Sequence, residues 1–216
     1  MAGRPALVGF AKAGSNNVGR PTINFAWKQL MNLSRKLRPK TFKEVAGQTL
    51  TIRMLQNGLY LEKLFPAYLF CGQRGCGKTS TARIFAAALN CTNLEKFRKT
   101  PAQNPVPCLE CNSCKAMNES RHPDFVEVDA ASNTGVDNVR QILEASNYLP
   151  LLGKKKIYLI DEAHMLSKAA FNAFLKILEE PPNSVLFMLA TTEMAKIPDT
   201  VRSRCFHATF SALEKK

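Results

Sequence analysis

Two stretches of this 216-residue chain combine residue types and spacings that could do chemistry on a phosphate. Gly72-Gln73-Arg74-Gly75-Cys76-Gly77-Lys78-Thr79 matches the pattern G-x-x-x-x-G-K-[ST]. Glycines so placed let consecutive backbone N–H groups turn inward around an anion, and a helix starting there adds its positive end. Lys78 is then positioned for the β- and γ-phosphates of ATP, and the Thr79 hydroxyl for Mg²⁺. Further along, the apolar run Ile157-Tyr158-Leu159-Ile160 ends in Asp161-Glu162. Asp161 suits Mg²⁺, directly or through water, and Glu162 suits the orientation and polarisation of an attacking water. Two carboxylates at a strand end could merely cap the next helix; beside a P-loop the catalytic reading is preferred. His164 completes an Asp-Glu-Ala-His string and reads as structural, a hydrogen-bonder at a helix start.

A third constellation is Cys91, Cys108, Cys111 and Cys114, the last three at two-residue gaps. Four thiolates satisfy tetrahedral Zn²⁺, and a site closed by four protein ligands is structural rather than catalytic. An iron–sulfur cluster is the alternative. The chain shows no signal-peptide pattern, so the cysteines read as a metal set and not as a disulfide framework. Cys71, Cys76 and Cys205 lie in strand or loop contexts and read as small core or loop residues.

These groups need a scaffold, and the hydrophobic pattern supplies one. A helix is expected over about 49–64, a short strand over 68–71 and a helix over 79–89. Residues 91–118, with their cysteines and prolines, read as an inserted module. Strand 125–129, helix 136–148 and strand 157–161 follow. Ser167 can cap the next helix, in which Phe171, Phe174, Leu175 and Leu178 form one stripe, and Pro181-Pro182 stops it. Strand 185–191 is continuous and apolar, whereas 205–210 alternates as an edge strand does. Continuous apolar strands separated by helices imply a parallel sheet covered on both faces, a three-layer α/β domain.

No apolar run approaches the roughly 20 residues of a membrane-spanning helix, so no membrane partner is expected. The net charge of +13 is concentrated: residues 1–43 hold nine Lys and Arg and no acid, while the other 173 hold 21 basic and 17 acidic residues. Residues 1–33 therefore read as a basic, disordered extension, able to touch polyanions, ahead of a domain over 34–213. The acid-free start gives organellar import as a secondary reading.

The chain resembles the gamma/tau subunit of the bacterial DNA polymerase III clamp loader, an AAA+ ATPase, over roughly residues 34–213. The likeness rests on Arg38-Pro39-Lys40-Thr41-Phe42 with Val45-Ala46-Gly47-Gln48, the P-loop, and the four-cysteine insertion just after its helix. It continues through Asp129-Ala130-Ala131-Ser132-Asn133, Asp161-Glu162, Leu178-Glu179-Glu180-Pro181-Pro182, Ala190-Thr191-Thr192 and Ser203-Arg204-Cys205.

The resemblance implies a five-stranded P-loop fold with a zinc appendage, using ATP, Mg²⁺ and Zn²⁺. It implies that Thr192 is sensor 1, contacting the γ-phosphate or its water. Arg204 corresponds to an arginine finger offered to a neighbouring subunit's ATP. The stretch 37–47, with Arg38, Pro39, Val45 and Ala46, is to line the adenine pocket. Implied partners are the other clamp-loader subunits, a sliding clamp and primer-template DNA, in the cytoplasm at the nucleoid. The sequence ends just past the fifth strand, so the helical lid with its sensor 2 arginine and the collar domain are expected to be missing. The alternatives are a regulatory ATP-binding module with little turnover, a non-motor subunit like the family's delta-prime member, and a helicase-type translocase. Intact Lys78, Thr79, Asp161 and Glu162 argue against a non-motor subunit. The zinc insertion, and the lack of room for a second motor domain, argue against a translocase.

Overall fold

A computed structural model describes residues 37–132 and 135–213. The expected extension 1–33 and Asn133 lie outside the described residues. Contacts divide the chain into two units, 1–38 and 39–216; the second is described below.

Its elements run α1 (Thr49–Leu61), β1 (Ala67–Gly72), α2 (Lys78–Leu89), α3 (Leu94–Lys99), α4 (Asn112–Asn118) and β2 (Phe125–Asp129). They continue through α5 (Val136–Ser146), β3 (Lys156–Asp161), α6 (Lys168–Glu179), β4 (Val185–Thr191), α7 (Asp199–Arg202) and β5 (Phe206–Phe210). The strands form one parallel sheet in the order β2-β3-β4-β1-β5. Strand β4 is buried along its whole length, while β2, at an edge, is only half-buried and alternates.

Each sheet face packs a separate core. On one face Tyr68, Phe70, Ile157, Leu159 and Met188 meet Leu55 and Leu59 of α1 and Ile84, Phe85 and Leu89 of α2. On the other, Leu69, Tyr158, Ile160, Phe187 and Leu189 meet Val139 of α5 and the Phe171–Phe174–Leu178 stripe of α6. Phe174 stands edge-on to Phe187 at 5.5 Å between ring centroids, a preferred aromatic geometry. Residues two apart on a strand share a face, which is why one continuous apolar strand feeds two cores.

Two helix ends differ from the sequence expectation. Helix α1 stops at Leu61 because Glu62 turns left-handed at φ 60°, so the chain can reverse into β1. Helix α5 stops at Ser146, whose hydroxyl donates to Leu143 O at 2.6 Å, shortly before Pro150. Helix α6 begins as expected, with Ala170 N donating to Ser167 Oγ at 3.2 Å. The inserted module, for which the pattern offered no elements, holds the short helices α3 and α4. Among the described residues no helix is long and apolar enough to cross a membrane.

Candidate active site

Parallel strands deliver their carboxyl ends to one edge of the sheet, where open α/β folds bind ligands. The end of β1 carries the P-loop, β3 carries Asp161-Glu162 and β4 carries Thr191-Thr192. In the order β3-β4-β1, the carboxylates and the P-loop flank the two threonines.

The P-loop needs glycine for two different reasons. A Cβ on Gly72 would stand 2.4 Å from Phe210 O, so β5 passes too close for any side chain. Gly77 caps α2 at φ 98°, a left-handed conformation that lets backbone N–H groups face the loop centre. Gly75 also has positive φ, at 82°. Cys76 is turned inward, its thiol donating to Gln73 O at 2.8 Å. Gln73 and Arg74 are exposed at the loop tip. Lys78 is buried, and its ammonium spans the loop, donating to Gly72 O and Gln73 O at 2.9 Å each. The cation is thus already inside the loop, where the sequence places the phosphates.

Thr79 Oγ1 donates to Asp161 Oδ2 at 2.8 Å, so the hydroxyl and carboxylate expected to share Mg²⁺ are in contact. Asp161 is further fixed by Glu162 N, which donates to its Oδ1 at 3.0 Å. Glu162 adopts a left-handed conformation, φ 48°, which turns its side chain away from the strand direction. Its Oε2 lies 3.4 Å from Thr192 Oγ1. The structure therefore brings Lys78, Thr79, Asp161, Glu162 and Thr192 to one edge.

The stretch ahead of α1 reaches the same place through Gln48, a residue that the resemblance includes without a role. Gln48 is buried; its amide donates to Cys76 O at 3.3 Å and Ser211 O at 2.7 Å, and accepts from Ser211 N at 3.1 Å. Val45 packs half-buried against the core beside Phe42, whereas Ala46 is exposed and Pro39 part-exposed. Arg38 belongs to the preceding unit. Arg204 stands apart from the P-loop contacts: its guanidinium pairs with Glu179 Oε1 at 2.8 Å and donates to Thr200 O at 2.7 Å.

The sulfurs of Cys91, Cys108, Cys111 and Cys114 all lie within 4.8 Å of one another. Zn–S bonds of about 2.3 Å in a tetrahedron require sulfurs about 3.8 Å apart, so a small contraction closes the cage. Cys111 N and Cys114 N each donate to the preceding cysteine's sulfur at 3.4 Å, which favours thiolates. The hydrogen bond between Cys91 and Cys114 lowers the pKa of Cys91 despite burial and raises that of Cys114, so one thiolate is favoured in this pair. The donor set is compatible with zinc. Cys71 and Cys205 are outside the cage, and burial pushes the Cys205 thiol up to about 12.

Ser113, His122 and Asp124 are buried close by but do not form a nucleophilic triad. His122 Nδ1 accepts from Asp124 N at 3.1 Å, so Nε2 carries the hydrogen and donates to Ser113 Oγ at 2.9 Å. Such a ring cannot take the serine proton. The Asp124 carboxylate instead accepts from Leu151 N, Leu152 N and Gly153 N at 2.6–2.7 Å. Burial alone would raise its pKa, but these donors outweigh that and hold it below the usual range. Its only trace in the sequence, an aspartate just before β2, is too common to mark a role.

Residues 47–214 match the family model described as DNA polymerase III, delta subunit. The tau/gamma subunit of Haemophilus influenzae is 49% identical over 183 residues, 85% of this chain and 25% of that protein. The tau subunit of Escherichia coli is 46% identical, over 84% of this chain and 27% of that protein. The gamma subunit of Buchnera aphidicola is 44% identical, over 85% of this chain and 48% of that protein. The chain thus spans a quarter to about half the length of these relatives. Among solved structures, a gamma subunit-related protein of Thermotoga maritima superposes with TM-score 0.50 and 25% identity, covering 75% of this chain and 46% of that one. The RuvB Holliday junction branch migration motor of the same organism, 17% identical, shares the fold at TM-score 0.52 over 82% of this chain and 48% of that one. Together with the P-loop, the carboxylate strand and the cysteine cage, these likenesses show that the chain belongs to the tau/gamma family of DNA polymerase III subunits and corresponds to its N-terminal domain.

Proposed function

We propose that the chain binds and hydrolyses ATP as a motor subunit of a clamp loader, coupling turnover to placement of a sliding clamp on primed DNA. The observation that carries this reading is the 2.8 Å contact between Thr79 and Asp161, with Glu162 beside it. A subunit that had given up ATP would have no use for a buried lysine inside a glycine cradle facing two carboxylates. Mg²⁺ held by Thr79 and Asp161 would neutralise charge on the β- and γ-oxygens. Lys78 would trade its two carbonyl partners for phosphate oxygens, and Glu162 would orient the attacking water while Thr192 steadies it. Pro39, Val45 and Ala46 would border the adenine. The other loader subunits, the clamp and primer-template DNA are its partners, in the cytoplasm at the nucleoid.

The test is Mg²⁺-dependent ATP binding by the chain, and turnover with partner subunits, clamp and primed DNA. Binding without turnover in that complete mixture would favour a regulatory module instead. Lys78→Ala is expected to weaken ATP binding about 10- to 100-fold, the range of a lost charge-assisted hydrogen bond of about 1.5–3 kcal/mol. Titration with a fluorescent ATP analogue measures it. Unchanged affinity would place the phosphates elsewhere.

The cysteine cage is proposed to hold one zinc per chain in a structural role. Removing it with a chelator is expected to loosen residues 91–118 while leaving ATP affinity intact, because the cage lies outside the phosphate contacts. Elemental analysis combined with hydrogen exchange over the module checks this. Iron, or no metal in protein purified without chelator, would overturn the zinc assignment.

A further inference from the structure

His164 does more than start a helix. It sits on the single 3₁₀ turn Ala163–Met165 that follows Glu162, and its side chain is 8% exposed. Nδ1 lies 3.1 Å from Thr191 Oγ1 and 3.6 Å from Glu162 Oε2, while Nε2 lies 3.3 Å from Glu193 Oε1. Thr191 is fully buried, and its Oγ1 already accepts from Glu193 N at 3.0 Å, so its proton is free to go to Nδ1. Nε2 then carries the ring hydrogen and donates to Glu193, a residue also paired with Lys196. One imidazole thus fastens the turn leaving β3 to the turn leaving β4.

Glu162 and Thr192 sit on those two turns, flanking the ring's partners. Their own contact, at 3.4 Å, is long, so by itself it fixes their separation only loosely. Glu162 also holds a left-handed backbone that nothing in its own side chain favours. Met165 N donates to Glu162 O at 2.8 Å and closes that turn, and the buried ring against Thr191 ties the turn to the end of β4.

We propose that His164 is a positioning residue, setting Glu162 against Thr192 so that both address one water; this rests on the ATPase reading above. A general base contributes on the order of 10²–10⁴ in rate, so losing its alignment is expected to cost about tenfold or more. His164→Ala should therefore lower kcat of an active assembly at least about tenfold, with nucleotide affinity unchanged. His164→Asn returns a polar atom near the Nδ1 position and should recover most of the rate. His164→Gln reaches towards Glu193 only and should not. A purely structural role predicts instead that affinity and melting temperature fall together with rate.

A wild-type rate in His164→Ala, a parallel loss of affinity, or rescue by Gln and not Asn would each overturn the proposal. If the wild-type assembly itself fails to hydrolyse ATP, the ATPase reading falls, and imidazole ¹⁵N NMR of the chain decides the positioning claim alone. Glu162→Gln is expected to shift the His164 resonances; their remaining unchanged would show that the ring and the carboxylate are not coupled.

Discussion

Arg204→Ala is expected to leave the ATP affinity of the isolated chain unchanged and to suppress turnover of a packed assembly by on the order of 10³–10⁵. A guanidinium aimed at a γ-phosphate stabilises charge that grows in the transition state, so its loss falls on rate and not on ground-state binding. Within this chain Arg204 has no phosphate to meet. It rests on Glu179 and Thr200, partly exposed, and an exposed pair of this kind is worth about 0–1 kcal/mol. So little holds it that an anion presented by a neighbouring subunit would be able to draw it away. In mixed assemblies with a single Arg204→Ala subunit, site-resolved turnover should show the defect at the neighbour's ATP, with the mutant's own site still working. Loss confined to the mutant's own site would mean that the arginine acts in cis or only supports the fold.

Glu162→Gln should bind ATP and Mg²⁺ normally yet hydrolyse on the order of 10²–10⁴ more slowly. The amide keeps the shape of the carboxylate and can still accept from Thr192, so the turn and the neighbouring Thr79–Asp161 contact are undisturbed. What it loses is the negative charge that draws a proton from water. Single-turnover measurement in an active assembly separates the steps: retained nucleotide with slow phosphate release is expected. Hydrolysis at the wild-type rate would move the role of the base to another residue. The contrast with Lys78→Ala is diagnostic, since that variant should fail at binding.

Much of the scaffold was legible because it is written locally. Strands 125–129 and 185–191 have the expected bounds: the second is an uninterrupted apolar run of strand length, which has few other uses, and the first is a short β-branched alternation. The P-loop and the cysteine spacing were legible for a related reason: each is a short arc of chain whose residues must converge. Helix ends were less so. Glu62 and Ser146 end their helices through a left-handed turn and a side-chain bond, choices that a hydrophobic stripe does not record.

By itself the sequence determined the order of strands and helices, the phosphate loop, the carboxylate pair and the four thiols that can share a metal. Tertiary structure alone decided which of these meet. Thr79 and Asp161 are 82 residues apart in the chain, and they touch because β3 and β1 flank β4 in a parallel sheet. That strand order depends on how whole helices pack across both faces, and no single segment's periodicity encodes it. The same holds for His164, whose string suggested a helix-start residue and whose ring is engaged by Thr191 and Glu193 from another strand's end. Arg204 is the complementary case. Its motif was readable, but folding sets it on Glu179 and Thr200 and not among the P-loop contacts, because a side chain can complete a site only where folding, or a neighbouring subunit, brings the two surfaces together.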